Sequence, residues 1–244
     1  MVRIVIVGAK GRMGQAVRAA AASYSDVEVV GLVDQGDDPA TVIDKCDVVV
    51  DFSVHTITRQ LVELCASCGK AMVIGTTGHS EAERQEILQV IKPIPVVWSS
   101  NFSTGVNVLF WLVRRTTEIL GPEYDVEIVE LHHRMKKDAP SGTAKTLAEV
   151  VAQAKGLDSA KAVVHGRVGI VGERPPDQIG VHAVRAGDIV GEHIVLFGTM
   201  GERLELRHAA SSRETFARGA LRAARWVVSK PPGVYTMLDV LGLK

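Results

Sequence analysis

Residues 130–146, ELHHRMKKDAPSGTAKT, bring two adjacent histidines and the cations Arg134, Lys136 and Lys137 up to Pro-Ser-Gly-Thr. Histidine titrates near neutral pH, and a lysine crowded by other cations becomes a better acid. Such a run can move protons and hold carboxylates. Pro140 to Thr143 then read as a helix N-terminus: Ser141 and Thr143 can cap it, and Gly142 leaves backbone N–H groups open to a carboxylate. The ligand that fits is a small acid with one or two carboxylates. Competing readings are weaker. Neighbouring strand residues point to opposite sides, so at most one of the two histidines faces a given group. A metal site lacks nearby Cys or carboxylate ligands at useful spacing, and Ser141 has no G-x-S-x-G elbow around it. A solvated charge run is the plain alternative for any single residue here.

A second chemistry opens the chain. IVIVGAKGRMGQAV sets Gly8, Gly11 and Gly14 between a strand and a helix. Glycine there lets backbone approach a pyrophosphate that helix N–H groups then bind. The spacing is one residue longer than G-x-G-x-x-G, but Asp34 follows at the end of the next strand, where an acid accepts hydrogen bonds from an adenosine ribose. Asp34 disfavours a 2′-phosphate by repulsion, and Gln35 follows it, which favours NADH. Lys10 and Arg12 leave NADPH open. Gly75-Thr76-Thr77-Gly78 and Ser99-Ser100-Asn101-Phe102 end later strands and trace a dinucleotide's path.

The elements that position these residues change character along the chain. Over the first hundred residues, short β-branched runs (4–7, 29–33, 48–51, 72–74, 96–98) alternate with helical patterns near 11–22, 56–68 and 81–91, with a shorter turn near 41–45. That grammar predicts a doubly wound, Rossmann-like parallel sheet covered on both faces. Ser80 to Glu83 form a capping box. Beyond residue 104 come a long helix (106–120), a strand (125–131), a helix (143–154) and strands joined across Gly187-Asp188 and Gly198–Gly201, which read as an antiparallel meander. A last helix spans 214–228. The division expected is α/β followed by an α+β domain with a mixed or antiparallel sheet.

Twenty-eight basic residues balance twenty-eight acidic ones, which argues against a nucleic-acid or membrane surface, so any anion site is local. No apolar run reaches membrane-helix length and no signal-peptide pattern opens the chain, so the expected location is cytoplasmic. Cys46, Cys65 and Cys68 are odd in number. The C-x-x-C lies at a helix C-terminus, where the dipole opposes thiolate formation, and reads as packing.

E-L-H-H-R-M-K-K-D-A-P-S-G-T-A, with VGAKGRMG, VVDFS, VIGTTG, SSNFSTGVNV, RAGDIVGEH and HAASSRETFARGA in that order, resembles the 4-hydroxy-tetrahydrodipicolinate reductase family of lysine biosynthesis over nearly the whole chain. The resemblance implies a dinucleotide-binding domain of residues 1–103 plus 213–244, and a substrate and oligomerisation domain of 104–212 assembling a homotetramer. It implies reduction of a small cyclic dicarboxylate by NADH or NADPH in the diaminopimelate route, with no metal. By position, His132 matches the acid/base histidine and Lys136 the proton donor. His133, Ser141, Gly142 and Thr143 match the substrate grip. Gly8, Ala9, Lys10, Gly11, Arg12, Met13, Asp34, Gly75, Thr76, Thr77, Ser99 to Phe102 and Arg213 match cofactor contacts. Two other readings compete. Another NAD(P)-dependent reductase of a small amino or imino acid would share the first half but not need the HHRxKxDAPSGT string. A dinucleotide sensor without turnover would need no clustered acids.

Overall fold

A computed structural model describes residues 1–243 of the chain. The chain forms two compact units, one of Met1–Thr104 with the chain from Arg213 onward, the other of Gly105–Ser212.

The first unit begins β1 (Val2–Val7), α1 (Arg12–Ala21), β2 (Val27–Val33), α2 (Ala40–Ile43), β3 (Val48–Asp51), α3 (His55–Ser67), β4 (Ala71–Ile74), α4 (Glu81–Val90) and β5 (Pro95–Trp98). β3 and β4 are buried at every residue, because side chains on a covered parallel strand alternate between two apolar layers. Ile4, Ile6, Val48, Val50 and Val73 face one layer, and Val5, Val7, Val49, Met72 and Ile74 the other. Each such burial contributes about 1.5–3 kcal/mol. The helix ends are set locally. Ser80 Oγ accepts from the Glu83 N–H at 3.2 Å, and Glu83 Oε2 accepts from the Ser80 N–H at 2.6 Å. Gly69, just beyond α3, takes φ 63°, which a side chain would disfavour. Cys46 and Cys65 lie in the core, and burial pushes the Cys46 thiol up to about 11.

The second unit contains α5 (Thr104–Leu120, whose first residue belongs to the first unit), β6 (Asp125–His132), α6 (Gly142–Lys155), α7 (Ser159–Ala162), β7 (Val163–His165), β8 (Ile179–Arg185), β9 (Gly191–Thr199) and β10 (Glu202–Ala210). Its sheet runs β10-β9-β6-β8-β7. This corrects half of the expected meander: β9 and β10 do pair antiparallel across the Gly198–Gly201 turn, but β8 and β9 are not neighbours, because β6 lies between them, parallel to β8 and antiparallel to β9. The segment around Gly187 passes over the end of β6, where the Ala186 N–H donates to the His132 carbonyl and the Arg134 N–H to that of Gly187. Alternating hydrophobicity is the same whether the next strand is a neighbour or one removed. Val106, Phe110 and Val113 of α5 pack with Leu147 and Val151 of α6 on Ile128, Val195 and Phe197.

The chain then completes the first unit with α8 (Glu214–Val227), β11 (Gly233–Tyr235) and α9 (Met237–Leu241). β11 pairs parallel with β5, giving the six-stranded order β11-β5-β4-β3-β1-β2. Ala220, Leu221 and Ala224 of α8 join Val17 of α1 over the sheet.

Candidate functional site

In the first unit the β1–α1 connection is a backbone cradle. Gly8 has φ 77°, and a Cβ there would lie 2.5 Å from the Phe52 carbonyl oxygen. A Cβ on Gly14 would press on backbone of Gly8 and Ala9. No side chain caps α1 at Gly11, so its first-turn N–H groups are left for an anion. Asp34, at the end of β2, is aimed into this loop: Oδ2 accepts from the Lys10 N–H at 2.6 Å and Oδ1 from the Gln35 N–H at 2.9 Å. Those two amides lower its proton affinity below the ordinary carboxylate value. A cavity of about 570 Å³ is lined by Gly8, Gly11, Asp34, Gln35, Asp37 and Asp38. A second, about 270 Å³, lies among Met13, Gly75, Thr77, Asn101, Phe102 and Arg213. Glycines whose Cβ positions are closed off, uncapped N–H groups and an oriented acid beside a cavity fit a dinucleotide.

Two expected contacts turn inward. Thr76 is 4% exposed, and its Oγ1 accepts from the Ser53 N–H at 2.9 Å, so its side chain holds the β3–α3 loop and Thr77 is the exposed threonine. Phe102 is 2% exposed, its ring set edge-on to Phe52 at 5.7 Å. Ser99 Oγ donates to the Asn101 carbonyl, and Asn101 Oδ1 accepts from the Ser103 N–H, which shapes that loop.

In the second unit the basic stretch leaves the end of β6. Glu130 and His132 are two apart on the strand and share a face. The Glu130 side chain is fully buried, and its Oε2 meets His132 Nδ1 at 2.6 Å. Arg185 of β8 donates to both Glu130 oxygens, at 2.8 and 2.7 Å, and the Ser141 N–H donates to Oε1 at 2.9 Å. Burial pushes the Glu130 carboxyl up, but Arg185, His132 and the Ser141 amide outweigh it and hold it below its ordinary value. Burial pulls His132 down, with Glu130 opposing. His193 of β9 sits edge-on to His132 at 5.3 Å, and burial drives it down to about 3, so it stays neutral. Lys136 Nζ pairs with Asp138 Oδ1 at 2.8 Å.

Ser141, expected to grip substrate, is 2% exposed. Its amide is committed to Glu130, and its Oγ accepts from the Ala144 N–H and lies 3.1 Å from His193 Nε2. It caps α6 from inside, and Gly142 is the exposed residue of the first turn. His133 is partly exposed at the strand end. Sequence reasoning passed over Glu130, Arg185 and His193. Only the i, i+2 spacing of Glu130 and His132 signalled any of them.

A doubly wound parallel sheet that opens on a glycine cradle with an oriented acid beside it, in a chain that also carries a buried acid–histidine cluster, defines an oxidoreductase using NAD(P)H. The chain belongs to the dihydrodipicolinate reductase family: the family's N-terminal model matches residues 2–102 and its C-terminal model residues 105–241. It is 51% identical over 243 residues to a 4-hydroxy-tetrahydrodipicolinate reductase of Akkermansia muciniphila, covering 100% of this chain and 99% of that protein. It is 47% identical to one of Hahella chejuensis over 267 residues, covering 100% of each. The fold is similar to a dipicolinate-bound dihydrodipicolinate reductase from Paenisporosarcina sp. TG-14, with a TM-score of 0.78 at 24% identity, covering 98% of both chains.

Proposed function

We propose that this chain acts on the substrate its relatives are named for, reducing 4-hydroxy-tetrahydrodipicolinate to tetrahydrodipicolinate in the diaminopimelate route, with His132 and Lys136 handling protons. The observation that carries the reading is the partly buried His132 held at Nδ1 by a buried carboxylate, in one short segment with Lys136 and the exposed Gly142 that starts α6. A solvated charge run needs no such support.

A bound dihydronicotinamide supplies the hydride. The chain's own residues do the rest. Gly8 to Met13 offer backbone to the pyrophosphate, and Asp34 accepts from the ribose hydroxyls. Gly75, Thr77, the Ser99–Phe102 backbone and Arg213 take the remaining length of the cofactor. His133 and the Gly142 and Thr143 backbone hold substrate carboxylates, where fixed cations stabilise developing negative charge. His132 and Lys136 give and accept the protons that accompany loss of water and reduction.

NADH is the preferred cofactor in this reading, because Asp37 and Asp38 line the same cavity as Asp34 and add charge against a 2′-phosphate. A homotetramer fits the second sheet: α5 and α6 cover one face, while alternate residues of β9 on the other, Ile194 and Leu196 among them, stay partly exposed. The test is oxidation of NADH and NADPH with fresh condensation product of pyruvate and aspartate semialdehyde. Turnover with a lower KM for NADH is expected. No oxidation with either refutes the substrate, and a strong NADPH preference refutes the nucleotide assignment.

A further inference from the structure

We propose that Glu130 and Arg185 are positioning residues of this reaction, a buried pair that clamps His132 by Nδ1 and so makes Nε2 the atom that exchanges protons. The proposal rests on the reading that His132 is the proton-transfer histidine.

Saturation of the Glu130 carboxylate is the first argument. Four donors fill it: His132 Nδ1 and one Arg185 nitrogen on Oε2, the Ser141 amide and the other Arg185 nitrogen on Oε1. They come from β6, β8 and the cap of α6, so the carboxylate has no freedom to swing. A ring nitrogen 2.6 Å from an ionised carboxylate carries the proton, which leaves the lone pair of neutral His132 on Nε2. The second argument is space. Gly191, the first residue of β9, faces that nitrogen, and a Cβ there would stand 3.0 Å from Nε2. Glycine keeps the reacting side of the ring open while Glu130 fixes the other.

The third argument is reach. The Arg185 nitrogen that binds Oε1 also donates to the Asp138 carbonyl at 2.7 Å, and the Asp138 side chain holds Lys136. One guanidinium thus ties together the supports of both proton-transfer groups. The groups facing His132 from every side are Glu130 on its own strand, Arg185 on β8, neutral His193 on β9 and Lys136 in the loop. Glu130 is the anion among them, and it alone of these groups favours a second proton on the ring, against burial, Lys136 and Arg185. A buried ion pair costs desolvation that an apolar pair would avoid, and a role in orienting His132 explains its presence.

The experiment uses the full chain with both substrates. Glu130→Gln should lower kcat on the order of 10²-fold with little change in the KM for dinucleotide. It should also move the His132 limb of the kcat/KM profile to lower pH, because the neighbouring anion that favours the imidazolium is gone. In a His132→Asn background the same change should cost less than about 3-fold, since the ring it positions is absent. An equal loss in both backgrounds makes Glu130 merely structural and overturns the proposal. If the Glu130 variant does not fold, nitrogen-15 NMR of histidine-labelled parent enzyme decides. A protonated Nδ1 with bare Nε2 is expected for neutral His132, and the opposite tautomer overturns the clamp. Unchanged kcat in His132→Asn alone would instead sink the underlying catalytic reading, and the NMR result would still judge the clamp separately.

Discussion

Gly219 lies within α8, where alanine should favour the helix by about 1 kcal/mol. Packing predicts the opposite sign. A Cβ at 219 would sit 2.8 Å from the carbonyl carbon of Phe102 and nearer still to its oxygen, against ordinary contact from 3.4 Å. The methyl therefore falls short by at least about 0.6 Å, and the obstacle is backbone on both sides, with no flexible side chain to swing away. Overpacking costs about 1–3 kcal/mol, and rigid partners put this case near the upper end. After the helix gain the net loss is about 2 kcal/mol, or roughly 4–8 °C in Tm for a chain of this size. The strain also acts on Phe102, which lines the cavity shared with Gly75, Thr77 and Arg213, so NADH affinity should fall by about 3- to 10-fold. Thermal unfolding by circular dichroism and a fluorescence titration with NADH measure both. A Tm at or above that of the parent would refute the packing argument, and lowered stability with unchanged NADH affinity would refute its link to the cofactor.

Replacing Lys136 by Ala should reduce kcat roughly 10²-fold while leaving NADH binding within about 2-fold, and near-normal turnover would remove Lys136 from the proton chemistry. Burial pushes Glu127 up, but Arg167, His182 and Arg174 override it and hold it near about 2, below its ordinary 4.5. Its contribution to stability is therefore full above about pH 4.5 and fades as pH falls toward about 2. Urea midpoints for Glu127→Gln should lie well below the parent's near neutral pH and converge with them in acid. Ellman's reagent should find one reactive thiol in the folded chain, partly exposed Cys68, and all three cysteines after denaturation; fast reaction of two or more in the folded state would contradict the burial of Cys46 and Cys65.

The parallel sheet was legible because its information is local. Val48 to Asp51 and Ala71 to Ile74 announce covered strands by composition, Ser80 and Glu83 announce a cap, and Asp34 stands at a fixed interval from the glycine cradle. Elements of three or four residues, such as β7 and α7, carry no period to read. The basic stretch was visible as a string of residue types, but its support was not. Glu130 meets Ser141 eleven positions on and Arg185 fifty-five positions on, a pairing that exists only once β6 lies between β8 and β9. Residue type also hides direction: Ser141 and Thr76 are polar and sit in loops, yet both point inward to hold backbone.

The return of the chain to its first sheet has a consequence for synthesis. A ribosome that has made residue 104 has produced β1 to β5 and α1, but not α8, so Ile4, Ile6, Val48, Val50 and Val73 still lack half of their cover. At about 5–20 residues per second, the 109 residues to position 213 take roughly 5–20 s. In that interval the second unit emerges whole and is able to fold, while the older one waits with an apolar flank bare. Birth order and completion order are thus reversed. A premature stop after residue 212 would keep the glycine cradle, Asp34 and the entire basic stretch, and still leave a first unit whose apolar flank is covered by α1 alone.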